Sequence, residues 1–110
     1  SLNYETVLPI DAEMYRNKKQ KTTPESAKEA LSALLPVLEA QTDWSRDAIF
    51  EACKQKAEAM EKKNGWLLFP LGIALSGKQR TPGGGTDLAC MMGRETTLAR
   101  VKAAIEKLNG

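Results

Sequence analysis

The chain has 110 residues, of which 42% are hydrophobic and 27% charged, a balance that suits one domain with its own core. It contains no histidine, and Cys53 and Cys90 form no CxxC pair, which excludes imidazole catalysis and a zinc site built from Cys and His. No apolar run approaches the roughly 20 residues of a membrane span. We expect a cytoplasmic protein with reduced cysteines, no metal and no membrane partner, and a piece of a longer chain, because Met is not the first residue.

The net charge of +2 is distributed unevenly along the sequence. Residues 1–22 carry a net +1, residues 23–61 carry −4, residues 62–82 carry +4 and residues 83–110 carry +1. A segment with four cations and no acid attracts anions, and nucleic-acid phosphates are a common partner. If this chain binds RNA, we therefore expect the contact to be confined to one side of the molecule.

The first part of the chain, residues 1–22, is predicted to be a linker with one short helical turn around Asp11–Arg16. The segment Arg16–Thr22 contains four cations and no acid, and its simplest interpretation is a solvated loop. Thr23–Glu25 then indicates a helix start, because a hydroxyl caps the first turn and proline fits the first helical position. Pro36 is expected to kink this helix or to split it.

A second helix start is predicted at Ser45, with Trp44 before it and Ile49 after it in the arrangement of a hydrophobic staple. The apolar stripe of this helix continues to Met60. Asn64–Gly65 is expected to end the helix, because glycine suits the left-handed position past the last turn.

The apolar run Trp66–Leu75 is predicted to be a short buried helix with Pro70 near its start, since proline cannot donate to a central sheet ladder. A short helix at Asp87–Met92 follows, and Gly93 separates it from the final helix. The inward stripe of that last helix is expected to contain Leu98, Val101, Ile105 and Leu108. The fold class is therefore an all-α helical bundle, with its domain at residues 23–110.

The segment Gly72–Lys78 matches the GxxxxGK spacing of a phosphate-binding loop. Gln79 stands where that motif needs Ser or Thr to hold magnesium, and Ile73–Leu75 is too apolar for an open phosphate cradle. We interpret the match as a coincidence of glycines.

The candidate RNA-binding residues form a basic, glycine-rich turn after the apolar run. They are Lys78, Gln79, Arg80, Thr81, Pro82, Gly83 and Gly84. The two cations suit phosphate contacts, and Gln79 or Thr81 suits a base edge. The glycines have two interpretations, a flexible hinge or a place where backbone approaches RNA closely. Further candidates are Lys18, Lys19 and Arg94.

Four stretches of this chain resemble the C-terminal end of bacterial glutamyl-tRNA synthetases. They are YRNKKQKTTPES at 15–26, DWSRDAI at 43–49, PLGIALSGKQRTPGG at 70–84 and MMGRETTLARVKAAIEKL at 91–108. That family has Pro-Leu-Arg, Ala-Leu-(Thr/Ser)-Gly, Thr-Pro-Gly and then Leu-Gly-Lys-Glu leading into a last helix. The resemblance runs from about Leu8 onward and implies a helical bundle of the anticodon-binding type.

In related synthetases the arginine of the Pro-Leu-Arg pattern and the Thr-Pro pair touch the anticodon bases. Thr81 and Pro82 match that pair, whereas Gly72 stands in the position of the arginine. Gly84 and Gly85 stand where many members have apolar Leu and Phe that pack on bases. The resemblance therefore leaves the base preference of this chain open.

The function implied by the resemblance is binding of the anticodon loop of a glutamate-accepting tRNA, which positions it for glutamylation. The fragment would need no catalytic residue and no cofactor. The parent would be an ATP- and Mg²⁺-dependent glutamate–tRNA ligase with its catalytic domain in the same chain, and we expect a monomer. Two alternatives stay open. One is a helical protein–protein interaction or structural module without an RNA role, which the acidic middle segment and Gly72 favour. The other is a parent that also charges glutamine tRNA.

Overall fold

The computed structural model describes residues 8–81 and 83–110, and that part of the chain contains five α-helices. A 3₁₀ turn at Ala12–Tyr15 precedes α1 (Pro24–Ala40), α2 (Arg46–Ala59), α3 (Asn64–Ser76), α4 (Gly84–Met92) and α5 (Arg94–Asn109). The described residues form no strand, only an isolated bridge between Asn17 and Thr22. The predicted all-α bundle is confirmed, as is the short helical turn near Asp11–Arg16. The domain boundary at residue 22 stays a prediction.

The central element is α3, which packs against all four other helices and the 3₁₀ turn. Eight of its 13 residues are buried, because it is apolar on every side. Leu67, Leu71 and Leu75 are fully buried, and burying each contributes roughly 1.5–3 kcal/mol. The predicted buried helix is confirmed, but Pro70 lies in its middle rather than near its start.

The side chains predicted to cap α1 and α2 do so. The hydroxyl of Thr23 accepts from the backbone N–H of Ser26 at 3.0 Å, and the Thr23 N–H donates to the Ser26 hydroxyl at 2.8 Å. The Ser45 hydroxyl accepts from the N–H of Ala48 at 3.3 Å. Such caps contribute about 1 kcal/mol each. α1 continues through Pro36, so the helix is not split there.

The predicted end of α2 at Asn64–Gly65 is wrong, because these residues begin α3. The left-handed residue after α2 is Glu61, with φ of 58°, and the next N–H donates to the Ala57 carbonyl at 2.9 Å. Gly65 has a different role. A Cβ at this position would lie 1.9 Å from Oε1 of Gln20, so the missing side chain makes room for that glutamine.

The last two helices differ from expectation in their details. α4 begins at Gly84, three residues before the predicted start at Asp87. Gly93 separates it from α5 as predicted. The most buried face of α5 consists of Thr97, Val101 and Ala104. Of the four residues predicted to face the core, Val101 is buried, and the other three are half-buried and pack against the core: Leu98, Ile105 and Leu108. The buried Thr97 hydroxyl donates to the Ala89 carbonyl at 3.3 Å, which satisfies it inside the core.

Both tryptophans serve the fold. Trp66 is buried, and the Lys62 ammonium lies 4.7 Å from its ring centroid. Trp44 is half-buried, and its indole N–H donates to the Ala89 carbonyl at 2.8 Å, which fastens the start of α2 to α4. Cys53 is buried and unpaired, and burial raises the pKa of its thiol to about 12.

Candidate nucleic-acid interface

The segment that follows α3, residues 78–81, is called the basic turn below. α3 ends at Gly77, which has φ of 73° and donates its N–H to the Ile73 carbonyl at 2.7 Å. The Ser76 hydroxyl donates to the Gly72 carbonyl at 2.7 Å and accepts from the N–H of Lys78 at 3.0 Å. The helix end therefore holds the first residue of the basic turn in place.

A second anchor holds the basic turn from the other side. The side-chain amide of Gln79 donates to the Met14 carbonyl, in the 3₁₀ turn, at 3.0 Å. The donor of Gln79 is thus engaged within the fold. Lys78 and Arg80 are exposed, and neither forms an ion pair with an acid of the described residues. Thr81 is half-buried, and Pro82 lies outside the described residues.

The glycines after the basic turn form the start of α4. Gly83 and Gly84 have φ of 81° and 78°, in the left-handed region that favours glycine. A Cβ on Gly85 would lie 3.1 Å from the backbone nitrogen of Gly72 and 3.1 Å from the Leu68 carbonyl. The backbones of α3 and α4 therefore approach each other directly, so Gly85 is part of a packed helix contact.

A groove of about 360 Å³ lies between α3, the basic turn and the start of α4, and we call it the basic groove. It is lined by Leu68, Phe69, Gly72, Lys78, Gln79, Arg80, Thr81, Gly84 and Gly85. The fold thus brings together five of the predicted RNA-binding residues. Gly72, which stands in place of the family's arginine, lines this groove without filling it.

A second groove of about 480 Å³ adjoins the first, and we call it the aromatic groove. Its lining combines Gln20, Gly65, Arg46, Asp47 and Phe50 with Leu68, Phe69 and residues 83–87. The two grooves share Leu68, Phe69, Gly84 and Gly85. Sequence reasoning missed Phe50 and Phe69. The sequence contained one indication of Phe50, because a large apolar residue directly after Ile49 must lie off the buried stripe of α2. The exposed fraction of Phe50 is 38%.

The remaining candidate cations lie elsewhere. Lys18 and Lys19 are exposed in the tight turn closed by the Asn17–Thr22 bridge, and Gln20 of the same turn reaches the aromatic groove. Arg94 lines neither groove. Its guanidinium donates to the Glu39 carbonyl near the end of α1, where a cation interacts favourably with the helix dipole.

The four cations of residues 62–82 do not form one patch. Lys62 and Lys63 precede α3, whereas Lys78 and Arg80 follow it, and a helix of 13 residues is about 20 Å long. Only the second pair lies beside the basic groove. The basic groove therefore has beside it only two of the four cations counted in residues 62–82.

Within residues 8–81 and 83–110, no three side chains of His, Cys, Asp or Glu are grouped so as to hold a metal ion. No helix in that part of the chain is long and apolar enough to cross a bilayer.

The family model described as anticodon binding domain matches residues 2–105. The chain belongs to this family. It is 43% identical over 105 residues to a glutamate–tRNA ligase of Clostridium botulinum, which covers 96% of this chain and 22% of the relative. The glutamate–tRNA ligase of Clostridium tetani is 43% identical over 96 residues, covering 87% of this chain and 20% of its own length. The glutamate–tRNA ligase of Clostridium acetobutylicum is 43% identical over 98 residues, covering 89% of this chain and 20% of its own length.

The chain thus spans about a fifth of the length of these relatives and is similar to their C-terminal region. The resemblance to bacterial glutamyl-tRNA synthetases drawn from four stretches of sequence is confirmed.

Proposed function

We propose that this domain binds the anticodon loop of a glutamate-accepting tRNA through the basic turn and the basic groove. One observation carries the proposal: in a member of the anticodon binding domain family, Lys78 and Arg80 are exposed on the rim of a groove lined by Phe69 and helix-start glycines. Neither the described structure nor the comparisons add support to the alternative of a protein-interaction module without an RNA role.

The chemistry of the groove supports this role. Sequence-specific RNA recognition commonly uses loop bases that are unstacked, packed on aromatic side chains and hydrogen-bonded at their edges. Phe69 offers such a surface, and Gly84, around whose Cβ position no side chain of the described residues lies within 4 Å, allows an RNA backbone or base to approach without side-chain obstruction. Lys78 and Arg80 would contact phosphates, so binding would weaken as salt rises. Thr81 and Pro82 would touch bases, as the matching pair does in related synthetases.

The parent protein, by this proposal, is a cytoplasmic glutamate–tRNA ligase that activates glutamate with ATP and Mg²⁺ in the remainder of its chain. The domain described above would position the tRNA for glutamylation and would contribute no catalytic residue. We propose that it works as a monomer within that chain.

Chemical-shift mapping by NMR tests the proposal. The domain is titrated at low salt with an anticodon stem-loop of glutamate tRNA, and in parallel with a stem-loop of equal length and unrelated loop sequence. We expect shifts concentrated at residues 78–85 and Phe69, stronger for the first RNA and fading as salt is added. Equal shifts with both RNAs, or shifts concentrated on α1 and α5, would refute it.

A further inference from the structure

We infer that the aromatic groove is a separate base-binding site, which selects an unpaired nucleobase that carries an exocyclic amino group. The inference rests on the proposed function, because the base would belong to the same RNA loop that the basic groove holds. It goes beyond that function through residues that the basic groove lacks, on α2 and in the first turn of α4.

The apolar wall of this groove suits the face of a base. Phe50, with an exposed fraction of 38%, and the half-buried Phe69 and Leu68 line it. Bases stack on aromatic side chains in single-stranded nucleic-acid sites because each base has a π-face. A solvent-exposed phenylalanine at the rim of a groove is therefore well placed for a base.

The polar wall suits the edge of a base rather than a phosphate. Asp47 and Asp87 both line the groove, and Arg46 lies between them, with Nε 3.5 Å from Oδ1 of Asp87 and Nη2 3.4 Å from Oδ1 of Asp47. In each carboxylate the pairing uses Oδ1. Carboxylate oxygens accept hydrogen bonds and repel phosphate, and the amino group of a base is the donor that Asp reads in nucleic acids.

Gly83 makes room for one of these carboxylates, that of Asp87, whose side chain is 26% exposed. A Cβ on Gly83 would lie 2.2 Å from Oδ2 of Asp87, so any side chain at residue 83 would displace this oxygen. Because the two grooves share four lining residues, bases of one loop can occupy both while Lys78 and Arg80 hold the phosphates. The basic groove would thus supply affinity, and the aromatic groove would supply selection for an amino group.

The test compares Asp47→Asn with Glu51→Gln, which removes one acid from the same helix outside the groove. Binding to fluorescent anticodon stem-loops is measured by anisotropy. At each unpaired position whose natural base carries an exocyclic amino group, that base is compared with an analogue that lacks it. The wild-type domain should prefer the amino base at one position by about fivefold or more. Asp47→Asn should reduce that preference to within about twofold, and Glu51→Gln should keep it.

Phe50→Ala provides an independent measurement, because it should weaken binding of the amino base and its analogue alike while the salt dependence stays unchanged. Circular dichroism verifies that each variant is folded; Asp47 has a side chain that is 91% exposed, so its substitution leaves the core intact. The inference is overturned if the wild-type domain shows no amino preference at any position, or if Asp47→Asn and Glu51→Gln change that preference equally. In either case, preferential binding of the anticodon stem-loop would still support the proposed function. If the wild-type domain binds no anticodon stem-loop better than an unrelated one, both fall.

Discussion

The two ends of α3 have similar compositions and different environments. Two cations lie close to each end in the sequence, and each half of the helix contains a glycine where another part of the chain approaches closely. At the N-terminal end, Lys62 lies over the ring of Trp66, and Gly65 makes room for the flexible side chain of Gln20. At the C-terminal end, Lys78 and Arg80 are exposed, and the neighbouring glycine contact joins two helix backbones.

This difference shows that charge and glycine content do not identify a binding surface by themselves. A lysine that interacts with an aromatic ring has part of its charge already engaged. The space directly beside Gly65 is occupied by the side chain of Gln20, whereas the helix backbones that meet at Gly72 and Gly85 have grooves beside them. The side of α3 that meets α4 and the basic turn therefore has both exposed cations and grooves.

The largest expected effect is on stability, and it distinguishes the contact of Gly85 with α3 from the contact of Gly65 with Gln20. Gly85→Ala places a Cβ 3.1 Å from two backbone atoms that cannot move independently of their helix. We expect the free energy of unfolding to fall by about 1–3 kcal/mol. Gly65→Ala meets only the end of Gln20 and should change it by less than about 0.5 kcal/mol. Urea unfolding followed by tryptophan fluorescence measures both.

Gly72→Ala is the control for this pair, since its Cβ would lie 3.8 Å from the Gly85 nitrogen, an ordinary contact. Alanine is also favoured over glycine in a helix by up to about 1 kcal/mol. If Gly72→Ala lowers the free energy of unfolding as much as Gly85→Ala does, the prediction that only residue 85 lacks room for a Cβ is wrong.

The second prediction compares the charges. The double variant Lys78→Ala, Arg80→Ala should weaken binding of the anticodon stem-loop roughly tenfold, and the slope of log K against log salt should become shallower by about 1.4 for two lost phosphate contacts. Lys62→Ala, Lys63→Ala removes the same charge from the other end of α3. It should weaken binding less than about threefold. Fluorescence anisotropy at several salt concentrations distinguishes them, and equal losses would refute a centre at the basic turn.

The third prediction concerns Tyr15, whose turn supports the basic turn through Gln79. Its hydroxyl is buried without a hydrogen-bond partner among the described residues, and burial raises its pKa to about 12. Tyr15→Phe should therefore raise the free energy of unfolding by up to about 1 kcal/mol at pH 7. A loss of more than about 1 kcal/mol on this substitution would mean that the hydroxyl has a partner.

The same tyrosine predicts a pH dependence. Since the unfolded phenol ionises near pH 10 and the folded one near 12, the stability of the wild-type domain should decrease as pH rises through that window. Cys53, with its raised pKa, adds to the decrease. The Phe variant should lose the part of this decrease that Tyr15 contributes, and urea unfolding of both proteins at pH 7 and pH 10.5 checks this.

The smallest expected effect is at the turn near the N-terminus. Lys18→Ala, Lys19→Ala should weaken stem-loop binding by less than about threefold, because these exposed lysines line neither groove. A loss as large as that of the Lys78, Arg80 pair would extend the RNA-binding face to this turn.

Local signals in the sequence predicted the helices well, because a cap depends on residues within one turn of each other. Thr23 and Ser45 are examples, and the caps expected there are present. The prediction that Gly65 ends α2 failed, because glycine is favoured both after a helix end and where a distant side chain packs closely against the backbone. Only the fold brings the Gln20 side chain to Gly65. Phe50 and Arg46 were not predicted for the same reason, because their position beside Asp87 depends on how α2 packs on α4.

For this protein, residue pattern alone was sufficient for the all-α class and the burial of α3, because these depend on periodicity and on residues close in the chain. The likeness to the anticodon binding domain family came from the resemblance of four stretches of sequence. Three-dimensional packing was needed to show which cations share a surface, that α3 separates the +4 segment into two pairs, and that glycine contacts between α3 and α4 leave adjoining grooves. Distances between residues far apart in sequence set these features, and those distances exist only once the helices have packed.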